Sequence, residues 1–232
     1  MAEQEPRQEA DALGLRIPDY VASAAKSILG AAPFAGPFLA EIAGSIIPNQ
    51  RVDRLMRFAV NLEEKLAHLD QIFVRAQLTD ENFTDVMEES IRQAARSVTE
   101  DRRSYIASVI AKGLSPDSIK FAESRHILRI LGEISDVEVL WLRKCLVNVV
   151  DGDHEFRERH SGIFRIPPPH VGCSQEVSDR NALKESYLQH LTQLGLLSPV
   201  RHSPQSTDNP SVAYYELTRM GRLLLRQIGL LT

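Results

Sequence analysis

Side chains that could bind a metal are concentrated in one stretch of the chain. His154, His160, His170 and Cys173 fall within 20 residues, beside Asp151 and Asp153. Imidazole, thiolate and carboxylate groups all bind zinc, but zinc sites usually show close pairs such as CxxC or HxxxH. Only His170 and Cys173 are closely spaced here. We therefore interpret the stretch as a His-rich surface loop and predict no metal site.

Motifs of the common catalytic mechanisms do not occur in the sequence. It contains no GxSxG nucleophile motif, no Walker-type glycine-rich loop, no dinucleotide fingerprint and no HExxH. The acid pairs Glu63-Glu64 and Glu88-Glu89 fall on the polar faces of predicted helices, where solvation explains them. We therefore predict no catalytic residue, no cofactor and no small-molecule substrate, which favours a non-enzymatic protein.

Composition and charge disfavour nucleic acid as the main partner. Apolar residues make up 43 % of the 232 residues and aromatic residues only 6 %, so aliphatic side chains must form the core. Residues 1–122 carry 14 basic and 18 acidic residues, and residues 123–232 carry 13 of each. Phosphate binding needs clustered Lys and Arg, which neither half provides. Two cysteines and a polar N-terminus without signal-peptide features predict a cytoplasmic protein.

An apolar segment at residues 30–48 raises the question of membrane contact. "GAAPFAGPFLAEIAGSIIP" carries one charge, Glu41, and only 14 residues separate Pro33 from Pro48. A straight transmembrane helix needs about 20 apolar residues, so a permanent span is disfavoured. The segment is predicted either as a close-packed helical hairpin or as an element that reaches the membrane only on activation. The side chains of this packing or membrane element are Phe34, Phe38, Leu39, Ile42, Ile46 and Ile47.

The most regular apolar pattern follows directly, over residues 50–77. Its apolar residues recur with alternating gaps of three and four, which places them on one face of a long amphipathic helix. This helix could lie along the core of its own domain or form an intermolecular coiled coil. For the second case, the predicted self-association residues are Val52, Leu55, Ala59, Leu62, Leu66, Leu69 and Phe73.

Capping and breaking signals divide the rest of the chain. Apolar-periodic segments follow candidate N-caps at Thr79 or Asp80, at Asp179 and at Thr218, and the apolar residues of the segment after Asp179 include Leu183. Capping boxes are predicted at residues 97–100 and 135–138. Three consecutive prolines interrupt the pattern over residues 150–178, which predicts a long loop. We predict a mainly α fold with a flexible tail at 1–16, a helical domain at 17–132 and a module at 133–232 that contains the long loop and a small β-hairpin.

The C-terminal strings "YLQHLTQLGLLSPV" and "YYELTRMGRLLLRQI" predict the order helix, strand, loop, strand, helix. This order resembles the end of a winged-helix domain, as in MarR-like regulators, over roughly residues 180–230. The resemblance implies an alternative function, a DNA-binding regulator that dimerises through its N-terminal helices. Its DNA contacts would be Arg180, Lys184 and Arg201, but Glu185 and Asp208 oppose them.

A broader resemblance covers most of the chain. "ESIRQAARSVTEDRRSYIASVIAKGLSP" and "ILRILGEISDVEVLWL" follow the apolar segment and the long helix, and the C-terminal strings come after them. This order is similar to the Abi-alpha-like group of bacterial proteins, which is associated with abortive infection and phage defence. The resemblance implies a cytoplasmic protein of that kind and brings no active-site residues. We expect a non-enzymatic defence or stress protein that acts through helical self-association, with another copy or another protein as partner and conditional membrane contact.

Overall fold

Capping side chains and apolar spacing set the ends of most helices in this chain. The computed structural model describes residues 51–69, 72, 74, 76, 80–114, 121–146, 153–170, 172–201 and 212–231. These residues form nine helices and a two-stranded antiparallel hairpin, which confirms a mainly helical fold with a small hairpin. The elements are α1 (Val52–Leu66), α2 (Glu81–Arg96), α3 (Glu100–Gly113), α4 (Phe121–Glu133), α5 (Asp136–Lys144), α6 (His154–Arg159), α7 (Ser161–Phe164), α8 (Gln175–Gln193), β1 (Leu197–Arg201), β2 (Val212–Leu217) and α9 (Arg219–Gln227). The chain divides into two units, residues 1–128 and 129–232.

In the first unit, α1 packs against α2 and α3 with its apolar face. Four of the predicted self-association residues are buried inside this unit: Leu55, Ala59, Leu62 and Leu66. Leu69 is half-buried, whereas Phe73 and the side chain of Val52 lie outside the described residues. Side chains that are already covered by their own chain cannot also form the seam of a coiled coil. The burial of these four side chains favours the first of the two alternatives, a helix along the core of its own domain; self-association through the stripe stays a prediction.

The helix α1 is shorter than the sequence predicts. It ends at Leu66, and the N–H of Leu69 donates to the carbonyl of Leu66 (3.0 Å) to close a turn. Its 15 residues span about 22 Å, roughly half of the length predicted for residues 50–77. Neither Gly nor Pro stands at this break, and nothing in the local sequence explains it.

Side-chain caps start both α2 and α3. The predicted cap Asp80 accepts a hydrogen bond from the backbone N–H three residues further on (3.1 Å). The cap of α3 is Thr99, so the capping box predicted for residues 97–100 is wrong. Ser97 closes α2 instead, because its N–H and its hydroxyl both donate to the carbonyl of Gln93.

A buried arginine ties the start of α3 to the end of α2. Arg103 donates from Nη1 to the carbonyl of Ser97 (3.0 Å) and from Nη2 to Oε2 of Glu100 (2.7 Å). Arg54 of α1 donates to the last two carbonyls of α2 at 3.3 Å each. Cations are favourable there because the carbonyls at the C-terminus of a helix carry partial negative charge. The hydrogen bond from Arg103 lowers the pKa of Glu100.

In the second unit, α5 begins with the capping box that the sequence predicts. Ser135 Oγ accepts from the N–H of Glu138 (3.2 Å), and Glu138 Oε2 accepts from the N–H of Ser135 (2.7 Å). Helix α8 packs against α5 and β1, and α9 packs against β2. The core of this unit includes the buried side chains of Val139, Leu142, Leu188, Leu191, Leu196, Leu224 and Leu225.

The long loop predicted for residues 150–178 contains two short helices, α6 and α7. Aromatic contacts explain them. The ring of Phe156 in α6 lies 5.6 Å from that of Phe164 in α7, and Phe164 lies 5.1 Å from Trp141 in α5, measured between centroids. Such ring pairs stabilise beyond the apolar area that they bury. Tertiary contacts therefore order a segment for which local propensity predicts no helix.

The hairpin and α9 are joined to the end of α8 by one backbone junction. Gly195 ends α8 with a φ of +70°, a conformation that favours glycine. Thr218 Oγ1 donates to the carbonyl of Gly195 (2.7 Å) and accepts from the N–H of Gly221 (3.0 Å). A Cβ on Gly221 would lie 2.3 Å from the carbonyl oxygen of Leu196, so only glycine permits this approach. The segments "LGLL" (194–197) and "LTRMG" (217–221) therefore pack directly against each other, and we call this contact the packing joint.

Several predicted features lie outside the described residues. They are the tail at 1–16, the packing or membrane element with Phe34, Phe38, Leu39, Ile42, Ile46 and Ile47, and the connection between the two strands at 202–211. Among the helices that the structure does describe, none combines the length and the apolar character needed to cross a bilayer.

Candidate interaction site

Helix α8 has its two buried side chains near its C-terminal end, and one side of it is exposed along the rest of its length. Only Leu188 and Leu191 among its 19 residues are buried. Ser174 caps it, with Oγ accepting from the N–H of Val177 (3.3 Å), so the helix begins earlier than the cap predicted at Asp179. The N-terminal half of α8 therefore presents most of its side chains to solvent.

A buried carboxylate fastens α8 to α5. Oε1 of Glu138 lies 2.6 Å from Nδ1 of His190, while Oε2 of the same group accepts from Ser135. The Glu138 side chain is 7 % exposed and that of His190 37 %. A buried carboxylate is stable only when its oxygens have partners, and here both do. The pair holds α8 against α5. Its two residues are 52 positions apart in the chain, so no local pattern in the sequence indicates it.

The exposed side of α8 carries acids, a hydroxyl and one leucine. Glu176, Asp179, Leu183 and Ser186 are all exposed and lie three or four residues apart, so they share one face. We call these four residues the α8 face. The sequence places Leu183 on the apolar side of the helix, yet it is 53 % exposed. Acids around an exposed leucine suit a protein partner better than a phosphate backbone.

Of the three residues predicted as alternative DNA contacts, Arg180 and Lys184 lie one turn apart on α8, outside the α8 face. Arg180 is half-buried, and its Nη2 donates to the carbonyl of Gly162 (2.6 Å). Lys184 is half-buried too, and lies close enough to Lys144 for its charge to lower the pKa of that group. The side chain of Arg201 lies outside the part of the chain that the structure describes.

Three exposed arginines that the sequence analysis did not single out lie on α9. Arg219, Arg222 and Arg226 are spaced i, i+3 and i+7 and therefore share one face of the helix. Leu224 and Leu225 are buried on the other side. The helix contains no acidic residue. The spacing of "RMGRLLLR" was visible in the sequence and could have been recognised as a cationic face.

A lysine at the end of α5 rests on two aromatic rings. Nζ of Lys144 lies 4.4 Å from the ring centroid of Trp141 and 4.9 Å from that of Phe164, both within cation–π range. Partial burial lowers the pKa of Lys144, and the like charges of Lys184 and Arg157 lower it further. The ammonium is therefore attracted by the rings and repelled by its charged neighbours.

A second cation on the same helix makes a similar contact. Cζ of Arg143 lies 4.1 Å from the ring centroid of Phe156, and Nη2 lies 3.3 Å from Oδ2 of Asp153. Because α6 carries Phe156, this contact holds α6 against α5. His160 follows α6 and its Nδ1 lies 2.9 Å from the carbonyl of Phe156.

Two weakly acidic side chains of this unit have raised pKa values. Burial raises the pKa of the Cys145 thiol to about 11. The hydroxyl of Tyr215 donates to Oε1 of Glu185 (3.1 Å), and partial burial together with this carboxylate raises its pKa. A protonated thiol is a poor nucleophile, so Cys145 is suited to packing more than to reaction.

The histidines and cysteine of the predicted His-rich loop are dispersed. His154 and His170 are exposed, His160 and Cys173 are half-buried, and α6 and α7 lie among them. In the described ranges, no group of three or more His, Cys, Asp and Glu side chains is arranged to hold a metal ion.

Two arrangements therefore stand out in the second unit. One is the α8 face, anchored by Glu138 and His190. The other is the pair of rings of Trp141 and Phe164 around Lys144. Sequence reasoning missed both, because tertiary packing decides that the α8 face is exposed and brings Phe164 against Trp141. Comparisons of this chain with known protein families, with curated proteins and with solved structures find no match.

Proposed function

We propose that this chain is a non-enzymatic bacterial defence or stress protein that acts by binding another protein or a second copy of itself. The observation that carries this proposal is the α8 face, where Leu183 is exposed beside Glu176 and Asp179. An apolar side chain on a rigid helix can anchor an interface, and the surrounding acids select a basic partner surface. The defence setting rests on the resemblance to Abi-alpha-like proteins.

The association surface is assigned to α8 because the stripe on α1 is already buried. The order α8, β1, β2, α9 supports interpreting this region as a winged-helix-like module, in which the helix before the hairpin is the recognition element. Conditional membrane contact through residues 30–48 stays a prediction.

The α8 face is tested with the triple variant Glu176→Lys/Asp179→Lys/Leu183→Arg, which alters only exposed side chains. Glu133→Lys, exposed at the end of α4, is the matched charge-reversal control. We expect the triple variant to lose protection of a bacterial host in plaque counts over a phage panel. It should also lose any self-association measured by sedimentation velocity, while the control keeps both. Full protection by a folded triple variant would remove the α8 face from the proposal.

The arginines of α9 favour a second candidate, a winged-helix DNA-binding regulator that dimerises through its N-terminal helices. Three exposed guanidinium groups along one face can contact successive phosphates. If they do, Arg219→Ala/Arg222→Ala/Arg226→Ala should reduce the salt dependence of duplex binding by up to about three ion equivalents. Arg180→Ala/Lys184→Ala should have a smaller effect, because both groups are half-buried. Absence of duplex binding at low salt would exclude this candidate.

A further inference from the structure

Two aromatic rings and a lysine at the end of α5 suggest a ligand site. We propose that Trp141 and Phe164 form a binding site for organic cations, that Lys144 occupies it in the unliganded chain, and that a quaternary ammonium ligand replaces the lysine. This proposal is independent of the α8 face and would survive the failure of the function proposed above.

The geometry is that of a corner with two aromatic walls. The two rings lie 5.1 Å apart between centroids, at an interplanar angle of 71°. Nζ of Lys144 lies within 5 Å of both centroids, at 4.4 and 4.9 Å. Aromatic walls around a cationic centre are the arrangement by which proteins bind choline and methylated lysine. In the unliganded chain, the side chain of Lys144 occupies this site.

The present occupant is poorly matched to the site. Within the described residues no carboxylate pairs with Lys144, and the nearby charges, Lys184 and Arg157, are of like sign. A primary ammonium is strongly hydrated, and half-burial removes part of its water. A quaternary ammonium spreads its charge over methyl groups that pack against aromatic faces. When a quaternary ammonium ligand replaces it, the Lys144 ammonium returns to water, away from Lys184 and Arg157.

The site lies close to the surface of the second unit. Lys144 and Phe164 are both half-buried, whereas Trp141 is buried beneath them. Lys144 must leave the two rings before a ligand can enter, so any ligand competes with the cation–π contacts that the lysine already makes. In the unaltered chain a ligand should therefore bind weakly, and removal of the lysine side chain should reveal the site.

The test uses the full chain and its only tryptophan, Trp141, as a fluorescence reporter. Lys144→Ala and Lys144→Ser are titrated with choline and with 3,3-dimethylbutan-1-ol, which has the same shape but no charge. We expect saturable binding of choline to at least one of these variants, roughly tenfold tighter than to the unaltered chain because the competing cation–π contacts of the lysine are gone, and no binding of the alcohol. Adding Phe164→Leu to the Lys144 variant that binds choline should weaken this binding by roughly tenfold, because one of the two aromatic rings is lost.

Two results would overturn the proposal. Equal binding of choline and the neutral alcohol would show an apolar cavity without cation selectivity. Absence of any saturable response to choline in both folded Lys144 variants would show that the rings bind no cation other than their own lysine. Circular dichroism of the variants establishes that they are folded.

Discussion

Replacing Gly221 with alanine should destabilise the second unit, because α9 lies against the backbone of Leu196 at this position. The added Cβ would lie 2.3 Å from the carbonyl oxygen of Leu196 and 2.9 Å from Cδ1 of Leu217. The leucine side chain can move, but the carbonyl belongs to the junction between α8 and β1. An ordinary carbon–oxygen contact is about 3.3 Å, so α9 would have to shift by about 1 Å.

The expected loss combines three effects. Overpacking against a rigid neighbour costs about 1–3 kcal/mol. The shift also strains the hydrogen bonds of Thr218 to Gly195 and Gly221, at 2.7 and 3.0 Å, and losing one costs about 1 kcal/mol. Alanine regains about 1 kcal/mol of helix propensity relative to glycine. The free energy of unfolding should therefore fall by about 2 kcal/mol.

Urea unfolding followed by Trp141 fluorescence measures this change, since Trp141 is buried in the same unit as Gly221. Gly162→Ala is the matched control: this glycine also lies in a helix, but a Cβ there would meet no atom within 4 Å. The control should be neutral or stabilised by up to about 1 kcal/mol. If Gly221→Ala proves as stable as the unaltered chain, α9 moves freely and the packing joint does not constrain the module.

Three further predictions concern the core and the buried polar groups. Leu62→Ala should lower the free energy of unfolding by about 2–5 kcal/mol, because the side chain is fully buried. Val60→Ala is the control on the same helix and should cost far less, since Val60 is 38 % exposed. If Leu62→Ala changed the oligomer mass without loss of stability, the result would support a coiled-coil seam instead. Glu138→Ala should cost about 3 kcal/mol, because it removes the side-chain half of the capping box of α5 and the contact with His190. Glu138→Gln should cost about 1 kcal/mol, since an amide oxygen can still accept from the N–H of Ser135; equal losses for the two variants would contradict this division. Burial raises the pKa of Cys145 from 9.0 to about 11, which favours the neutral thiol in the folded chain. Alkylation of Cys145 at pH 8 should therefore be roughly 100-fold slower in the folded chain than in concentrated urea. Peptide mapping measures both rates, and equal rates would refute the buried thiol.

Local signals in the sequence identified where several elements begin. Ser135 and Thr218 cap α5 and α9 as predicted, and Asp80, one of two predicted candidates, caps α2, because a capping side chain needs only the N–H groups of the following turn. The hairpin was predicted from alternation and the flanking turn residues, which are also local. The apolar stripe of α1 identified the buried residues but could not identify what covers them, since an intramolecular core and a coiled-coil seam use the same spacing.

Tertiary packing decided the features on which function would depend. The rings of Trp141, Phe156 and Phe164 order two helices where the sequence predicts a loop. Leu183 is 53 % exposed although Leu188 and Leu191 on the same helix are buried, because the neighbouring elements cover α8 unevenly along its length. These outcomes depend on contacts between residues far apart in the chain, and the free energy of such contacts is set by which elements meet. Spacing along a single helix does not tell which other element the helix packs against. The sequence alone therefore determined the elements and their apolar and polar faces, and the tertiary structure determined which of those faces remain exposed.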